Sequence, residues 1–585
     1  MVRAASYLGS LALLASSALA KELAVNEAVA AELYDSGLVH KAVMDRKMNF
    51  WKTARESGVF KSEQYPELNA TKCVNGWAEA IVGDRHNTFR CNNVDLVHFL
   101  PHIALGSPGA EGSSSWGWTS DDDREFVAVG QYDGTAFIEI GKDGRMTYLG
   151  RLPQVTTPSE WREIRSYKHY MIIGSEAPGH GVQIFDMRKL LTIDPANPVV
   201  FHPRNDLAAW TNALMPRGNQ HNIVVNEELN YFAAVGSQPR TDPNCRSGLN
   251  FFDLTDPTNP KSLGCAAGDG YVHDAQCMVY HGPDKRYEGR DICYGYNEDT
   301  LTIYDVTNKA NVTNIISRIS YEGAAYTHQG WVLDPKNQEY LDMDDELDEL
   351  RARGPAADGF PVTYIWDIRD LEKPKQTGLY KSKTKAIDHN QYVIDGLNYQ
   401  SNYGAGLRVF DVSSIPRDPT GASVCEVAWF DLYPEDDDLP GGGDVEFLGT
   451  WSSYAYFKSG YVPEDDDLPG GGDVEFLGTW SSYAYFKSGY VFINSIERGA
   501  WTVKLTGTDC PRAPVCNADN CLRSFRATSV PGRLAESREF CDDFLSRPVR
   551  DVAALPSHAV KNCAGDAVAR ASSACACLPT ATPAP

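Results

Sequence analysis

The stretch Leu301-Thr-Ile-Tyr-Asp305-Val is a short, mostly apolar strand that ends on an aspartate, and it returns four more times along the chain. The other copies are Val182-Gln-Ile-Phe-Asp186-Met, Leu249-Asn-Phe-Phe-Asp253-Leu, Thr363-Tyr-Ile-Trp-Asp367-Ile and Leu407-Arg-Val-Phe-Asp411-Val. Their aspartates are spaced by 67, 52, 62 and 44 residues. A period of that size built from short strands is the pattern of propeller blades. Two degenerate units flank the five: Trp116-Gly-Trp118 leads to Ala136-Phe-Ile-Glu139-Ile, and Trp480 leads to Trp501-Thr-Val-Lys504-Leu. Trp161-Arg-Glu163 opens the unit that ends at Asp186, so the expectation is an all-β, seven-bladed β-propeller over residues 91–508.

A histidine opens the strand-like run in four of these units. The settings are Gln220-His221-Asn222, Val272-His273-Asp274, Thr327-His328-Gln329 and Asp388-His389-Asn390, separated by 52, 55 and 61 residues. In a blade, the start of the innermost strand and the loop between the second and third strands lie on one face and converge on the axis. Those loops carry Glu176, Asn297-Glu298-Asp299, Asp344-Asp345-Glu346, Asn402 and Glu497. His221, His273, His328 and His389, with Glu176, Glu298, Asp345 and Glu346, are therefore candidate ligands for a divalent transition metal of unspecified identity. A metal with an open position could also activate water. The competing reading makes the histidines hydrogen-bond hubs and the acidic loops solvated.

Other residues are read more plainly. His98, His180 and His281 fall outside the series and are expected at the surface or in loops. Asp342-Met-Asp-Asp-Glu-Leu-Asp-Glu349 lacks the glycine and ligand spacing of a helix-loop-helix calcium loop. Trp116, Trp161 and Trp480, at innermost-strand starts, are expected to pack rather than to form a sugar platform.

Blade ends carry turn chemistry such as Asp253-Leu-Thr-Asp-Pro257-Thr-Asn-Pro260 and Asp370-Leu-Glu-Lys-Pro374. Strand, Asp-Val and proline turn together resemble the LVIVD repeat. The runs Gly270-Tyr-Val-His-Asp-Ala-Gln-Cys277, Tyr296-Asn-Glu-Asp-Thr-Leu-Thr-Ile303, Glu322-Gly-Ala-Ala-Tyr-Thr-His-Gln-Gly-Trp331 and Ile387-Asp-His-Asn-Gln-Tyr392 resemble the secreted choice-of-anchor B family, over roughly residues 70–505. The resemblance implies an extracellular propeller and carries over no reaction.

Residues 1–20 read as a secretory signal, with Arg3, the apolar run Leu11-Ala-Leu-Leu-Ala and the small-residue site Ala18-Leu-Ala20. Residues 21–90 are expected to form a helical N-terminal extension on the outside of the propeller, and the strand beginning near Cys91 is expected to complete the last blade. The 14 cysteines suit an oxidising compartment. Local pairings expected within the blades are Cys73 with Cys91, Cys245 with Cys265, and Cys277 with Cys293, whereas Cys425 has no local partner. Asn69 and Asn311 open glycosylation sequons. Residues 509–585 hold seven of the cysteines and resemble a cysteine-rich appendage of fungal secreted proteins, read as a disulfide-stapled cap. Pro434 to Val462 is repeated residue for residue as Pro463 to Val491; the copy with Trp480 is expected in the last blade and the other as an outer excursion.

The net charge of −24 argues against nucleic acid or an anionic membrane as partner. After the signal, no apolar run is long enough to span a bilayer. No GxSxG, HExxH, GxxxxGK[ST] or GxGxxG is present, which removes support for the familiar hydrolase and nucleotide chemistries. The expected function is binding or scaffolding of an extracellular polysaccharide or protein on the axial face, with a metal-dependent oxidoreductase or hydrolase as the alternative.

Overall fold

The computed structural model describes residues 22–109, 111–311, 313–434, 437–438, 442, 479–510, 519–527, 529–546, 552–563 and 565–578. The expected signal segment and most of residues 434–478 lie outside the described residues. Seven sheets of four to six strands form the blades of a β-propeller. Their innermost strands, in order, are Gly112–Thr119, Ile164–Tyr167, Asn222–Asn226, Asp274–Val279, Thr327–Val332, Gln391–Ile394 and Thr479–Tyr483.

The repeated aspartate has a local cause. In all five copies its carboxylate accepts the backbone N–H two residues on, from Arg188, Thr255, Thr307, Arg369 and Ser413, at 2.8–3.1 Å. This Asx turn ends the third strand and starts the connection outward. The strands before it are buried on both faces, because each blade is covered by its neighbours; Asn250, Thr302 and Arg408 are as buried as the apolar residues beside them. Between the fourth and fifth blades, Tyr294, Ile303, Leu341, Tyr364 and Trp366 form one such interlayer core.

The ring is closed by the N-terminal part of the chain. Gly499–Leu505 pairs antiparallel with Val94–Pro101, Trp501 lying opposite Phe99, so the last blade takes its outer strand from the start of the propeller. The sixth blade is widened by Thr88–Asn92 and Trp77–Glu79. Residues 21–90 are thus not helical throughout, since strand pairing to an open blade edge satisfies the backbone of residues 77–92.

The helix Leu38–Ser57 does not pack on the outside either. Its buried positions Val39, Val43, Lys47, Trp51 and Ala54 recur at helical spacing and turn toward the axial face. Gly58, at φ 88°, ends it by donating to the carbonyls of Ala54 and Arg55.

Disulfides join Cys73–Cys91, Cys245–Cys265 and Cys277–Cys293 within blade regions, and Cys425 pairs with Cys510, 85 residues away. Near the C-terminus the helices Asn520–Phe525, Arg533–Ser546, Ser557–Asn562 and Ala567–Ala576 are stapled by Cys521–Cys563 and Cys541–Cys575. No helix of the described residues is long and apolar enough to cross a membrane. Asn69 is exposed and Asn311 partly exposed.

Candidate metal centre

The four series histidines come together because each stands at or just before the start of an innermost strand. His221, His273, His328 and His389 follow one another around the axis with ring centroids 4.3, 4.3 and 4.4 Å apart. They form an arc over four consecutive blades rather than a complete ring. His273 Nδ1 donates to the carbonyl of His328 at 2.9 Å, which leaves Nε2 as its lone-pair nitrogen. His221 Nδ1 lies 2.5 Å from Glu176 Oε1.

The expected acids divide between two roles. Glu346 joins the arc: its carboxylate, with an imidazole nitrogen each from His328 and His389, places three potential ligand atoms within 4.8 Å of one another. Glu298 and Asp345 do not join it. Glu298 is clamped by both terminal nitrogens of Arg240 at 2.5 and 2.9 Å, with His40 Nδ1 at 3.4 Å. Asp345 accepts from Tyr321 Oη and from the backbone N–H groups of Ala325, Tyr326 and Leu347, so it braces the loop that carries Glu346. Nor are the acids solvated: Asp342, Asp344, Asp345, Glu346, Asp348 and Glu349 are all buried.

The helix Leu38–Ser57 covers this face. Lys47 Nζ donates to Glu346 Oε1 at 2.7 Å, Tyr403 Oη donates to the same oxygen at 2.5 Å, and His40 Nδ1 lies 2.7 Å from Tyr326 Oη. Arg55, farther along the helix, pairs with Glu111 and Glu160. Between helix and arc lies a cavity with about 20 Å³ open to the centres of water molecules, room for one water or one ion. Val43, Met44 and Lys47 line it from the helix side and the four histidines from the propeller side.

The electrostatics suit a cation. Burial, reinforced by neighbouring imidazoles, holds His273 and His328 well below the usual histidine range, so both are neutral and present lone pairs. Burial pushes the Glu346 carboxyl upward, but Lys47, His389 and Tyr403 together bring it down to about 2, so it is a carboxylate. Its second oxygen, Oε2, is buried with no hydrogen-bond partner. Neutral imidazole nitrogens with one carboxylate oxygen are a donor set for zinc or another first-row divalent metal. Asp411, Cys425 and Cys510 also approach one another, but the Cys425–Cys510 disulfide removes both thiolates.

His98 and His180 are buried rather than at the surface: His98 Nδ1 accepts from the Met146 N–H, and His180 contacts the Arg162 guanidinium at 3.1 Å. Trp161 packs on Trp51 of the covering helix at 5.0 Å. Reasoning from sequence missed Lys47, His40, Arg240 and Tyr403. For Lys47 a signal existed, a lysine set in the stripe Val39, Val43, Trp51 and Ala54.

No family model matches the chain, and no curated protein matches it. Among solved structures it is similar to the computationally designed Ika8 protein, at 9% identity over 68% of this chain and 84% of that one, with a TM-score of 0.35. It is similar also to the β-propeller domain of Myceliophteria thermophila Cps50 (Swd1), at 10% identity over 67% of this chain and 99% of that one, with a TM-score of 0.36. The fold assignment rests on the seven sheets themselves.

Proposed function

We propose that the chain is a secreted, extracellular binding propeller that holds a divalent transition metal on its axial face through His328, His389 and Glu346. The observation that supports this most is the approach of their ligand atoms to within 4.8 Å of one another. The signal-like residues 1–20, the sequons at Asn69 and Asn311 and six disulfides among the described residues support the extracellular setting. Under this reading the chain is a divergent relative of the LVIVD-repeat, choice-of-anchor B propellers. Its partner is an extracellular polysaccharide or protein.

A metal-dependent extracellular oxidoreductase or hydrolase is the second reading, supported by the same His328, His389 and Glu346 donor set lining a cavity.

Elemental analysis of the purified protein beside its H328A/H389A variant tests the metal. The expected result is about one transition metal per chain, lost in a variant that keeps its thermal unfolding transition. Absence of metal from both would discard the metal reading and leave the arc as a hydrogen-bond hub neutralised by Lys47.

A further inference from the structure

The disulfides are not equally reachable. In Cys245–Cys265, Cys277–Cys293, Cys521–Cys563 and Cys541–Cys575 both cysteines are buried, and in Cys73–Cys91 one is buried and the other half-buried. In Cys425–Cys510, Cys425 is half-buried and Cys510 is exposed. Among the described residues it is the disulfide with an exposed cysteine.

Its place in the ring gives it leverage. Cys425 opens Cys425–Phe430, the fourth strand of the sixth blade, and Cys510 follows Gly499–Leu505, the third strand of the last blade. The bond therefore staples the last two blades beside the strand pair that closes the ring, across 85 residues that include three strands of the last blade.

Asp411 stands against the bond. It lies opposite Cys425 in the pairing of the sixth blade's outer strands, and its Oδ2 is 3.7 Å from Cys510 Sγ. Its Oδ1 accepts the Ser413 N–H at 3.0 Å, and no lysine or arginine of the described residues forms an ion pair with it. A negative charge at that distance repels an anionic attacker and disfavours Cys510 as the departing thiolate.

We propose that Cys425–Cys510 is a thiol-exchange site, a latch on the last two blades that small aminothiols open. The attacking thiolate bonds to Cys510 Sγ, the sulfur–sulfur bond breaks, and its electron pair leaves on Cys425. A second thiolate then displaces Cys510, so one protein disulfide becomes two thiols while two reagent thiols become one disulfide. The ammonium of an aminothiol offsets the charge of its own thiolate beside Asp411, which an acidic thiol cannot do.

The test exposes the native, whole chain to about 1 mM cysteamine or mercaptoethanesulfonate, alkylates the freed thiols and locates them by peptide mass. The first two thiols to appear should be Cys425 and Cys510, at least about tenfold ahead of any buried pair. Cysteamine should act faster than the sulfonate, and D411N, whose amide oxygen keeps the turn to Ser413, should shrink that preference by roughly three- to tenfold. The opened, alkylated chain should unfold at a lower temperature than the closed one. Another pair opening first or equally fast overturns the proposal. A preference unchanged in D411N overturns the selection by charge, and an unchanged unfolding temperature overturns the latch. Should D411N fail to fold, D411S, whose hydroxyl can accept the same N–H, decides the matter.

Discussion

Lys47 Nζ and Glu346 Oε1 form a 2.7 Å ion pair between the covering helix and the axial face, with both side chains almost wholly buried. Removing one partner leaves a buried, uncompensated charge. K47M is therefore expected to destabilise the chain by about 3–5 kcal/mol, read by denaturant unfolding, and K47M/E346Q by clearly less. The pair also has a pH signature. The folded Glu346 carboxyl sits near 2, below its ordinary 4.5, so its contribution is present above that ordinary value and lost as pH falls toward 2.

Trp501 seals the ring. Its indole lies 4.2 Å from Phe99 and 5.2 Å from Phe89, both on strands donated by the N-terminal side of the propeller. W501A should cost about 3–5 kcal/mol, measured as a lowered unfolding midpoint. A loss under about 1 kcal/mol would mean that the closing strand contributes little.

Asp342 predicts the opposite pH slope to Glu346. Its Oδ2 accepts from Tyr380 Oη and Asn398 Nδ2 at 2.8 and 3.1 Å, its Oδ1 has no partner, and burial pushes the carboxyl from 3.8 to about 7. The folded state therefore holds this proton more tightly, and stability falls as pH rises from about 4 to about 7. The neutral variant D342N should flatten that slope, by no more than about 4 kcal/mol over the interval. Parallel pH–stability curves for the two proteins would refute the assignment.

Deleting residues 434–462 leaves the same sequence as deleting 463–491, because the two copies are identical. One copy suffices for the innermost strand Thr479–Tyr483, and the last blade has its four strands without the other. The shortened chain is expected to unfold at an unchanged temperature with unchanged metal content; a drop in either would assign the second copy a structural role.

The fold was legible because its cause is local and repeated. Leu301 to Asp305 and its four counterparts each carry their own alternation and their own Asx turn, so one unit suffices to read the next. The histidine arc was legible for a related reason: blade geometry sends every innermost-strand start to one face, so regular spacing of His221, His273, His328 and His389 became proximity. The division of the acids was not legible. Glu298, Asp345 and Glu346 share a loop position, and only the partners that reach each one, Arg240, the backbone beyond Tyr321, or Lys47, separate a clamp from a brace and from a ligand.

What the chain alone determined, then, is the blade, its number and the face on which its histidines gather, because those follow from periodicities of a few residues and from hydrogen bonds between near neighbours. Tertiary structure decided the rest: that residues 38–57 cover the axial face, and that Cys425 meets Cys510. Each of these joins segments far apart in sequence, and closure of the ring, not any local pattern, sets which distant segments share one buried space.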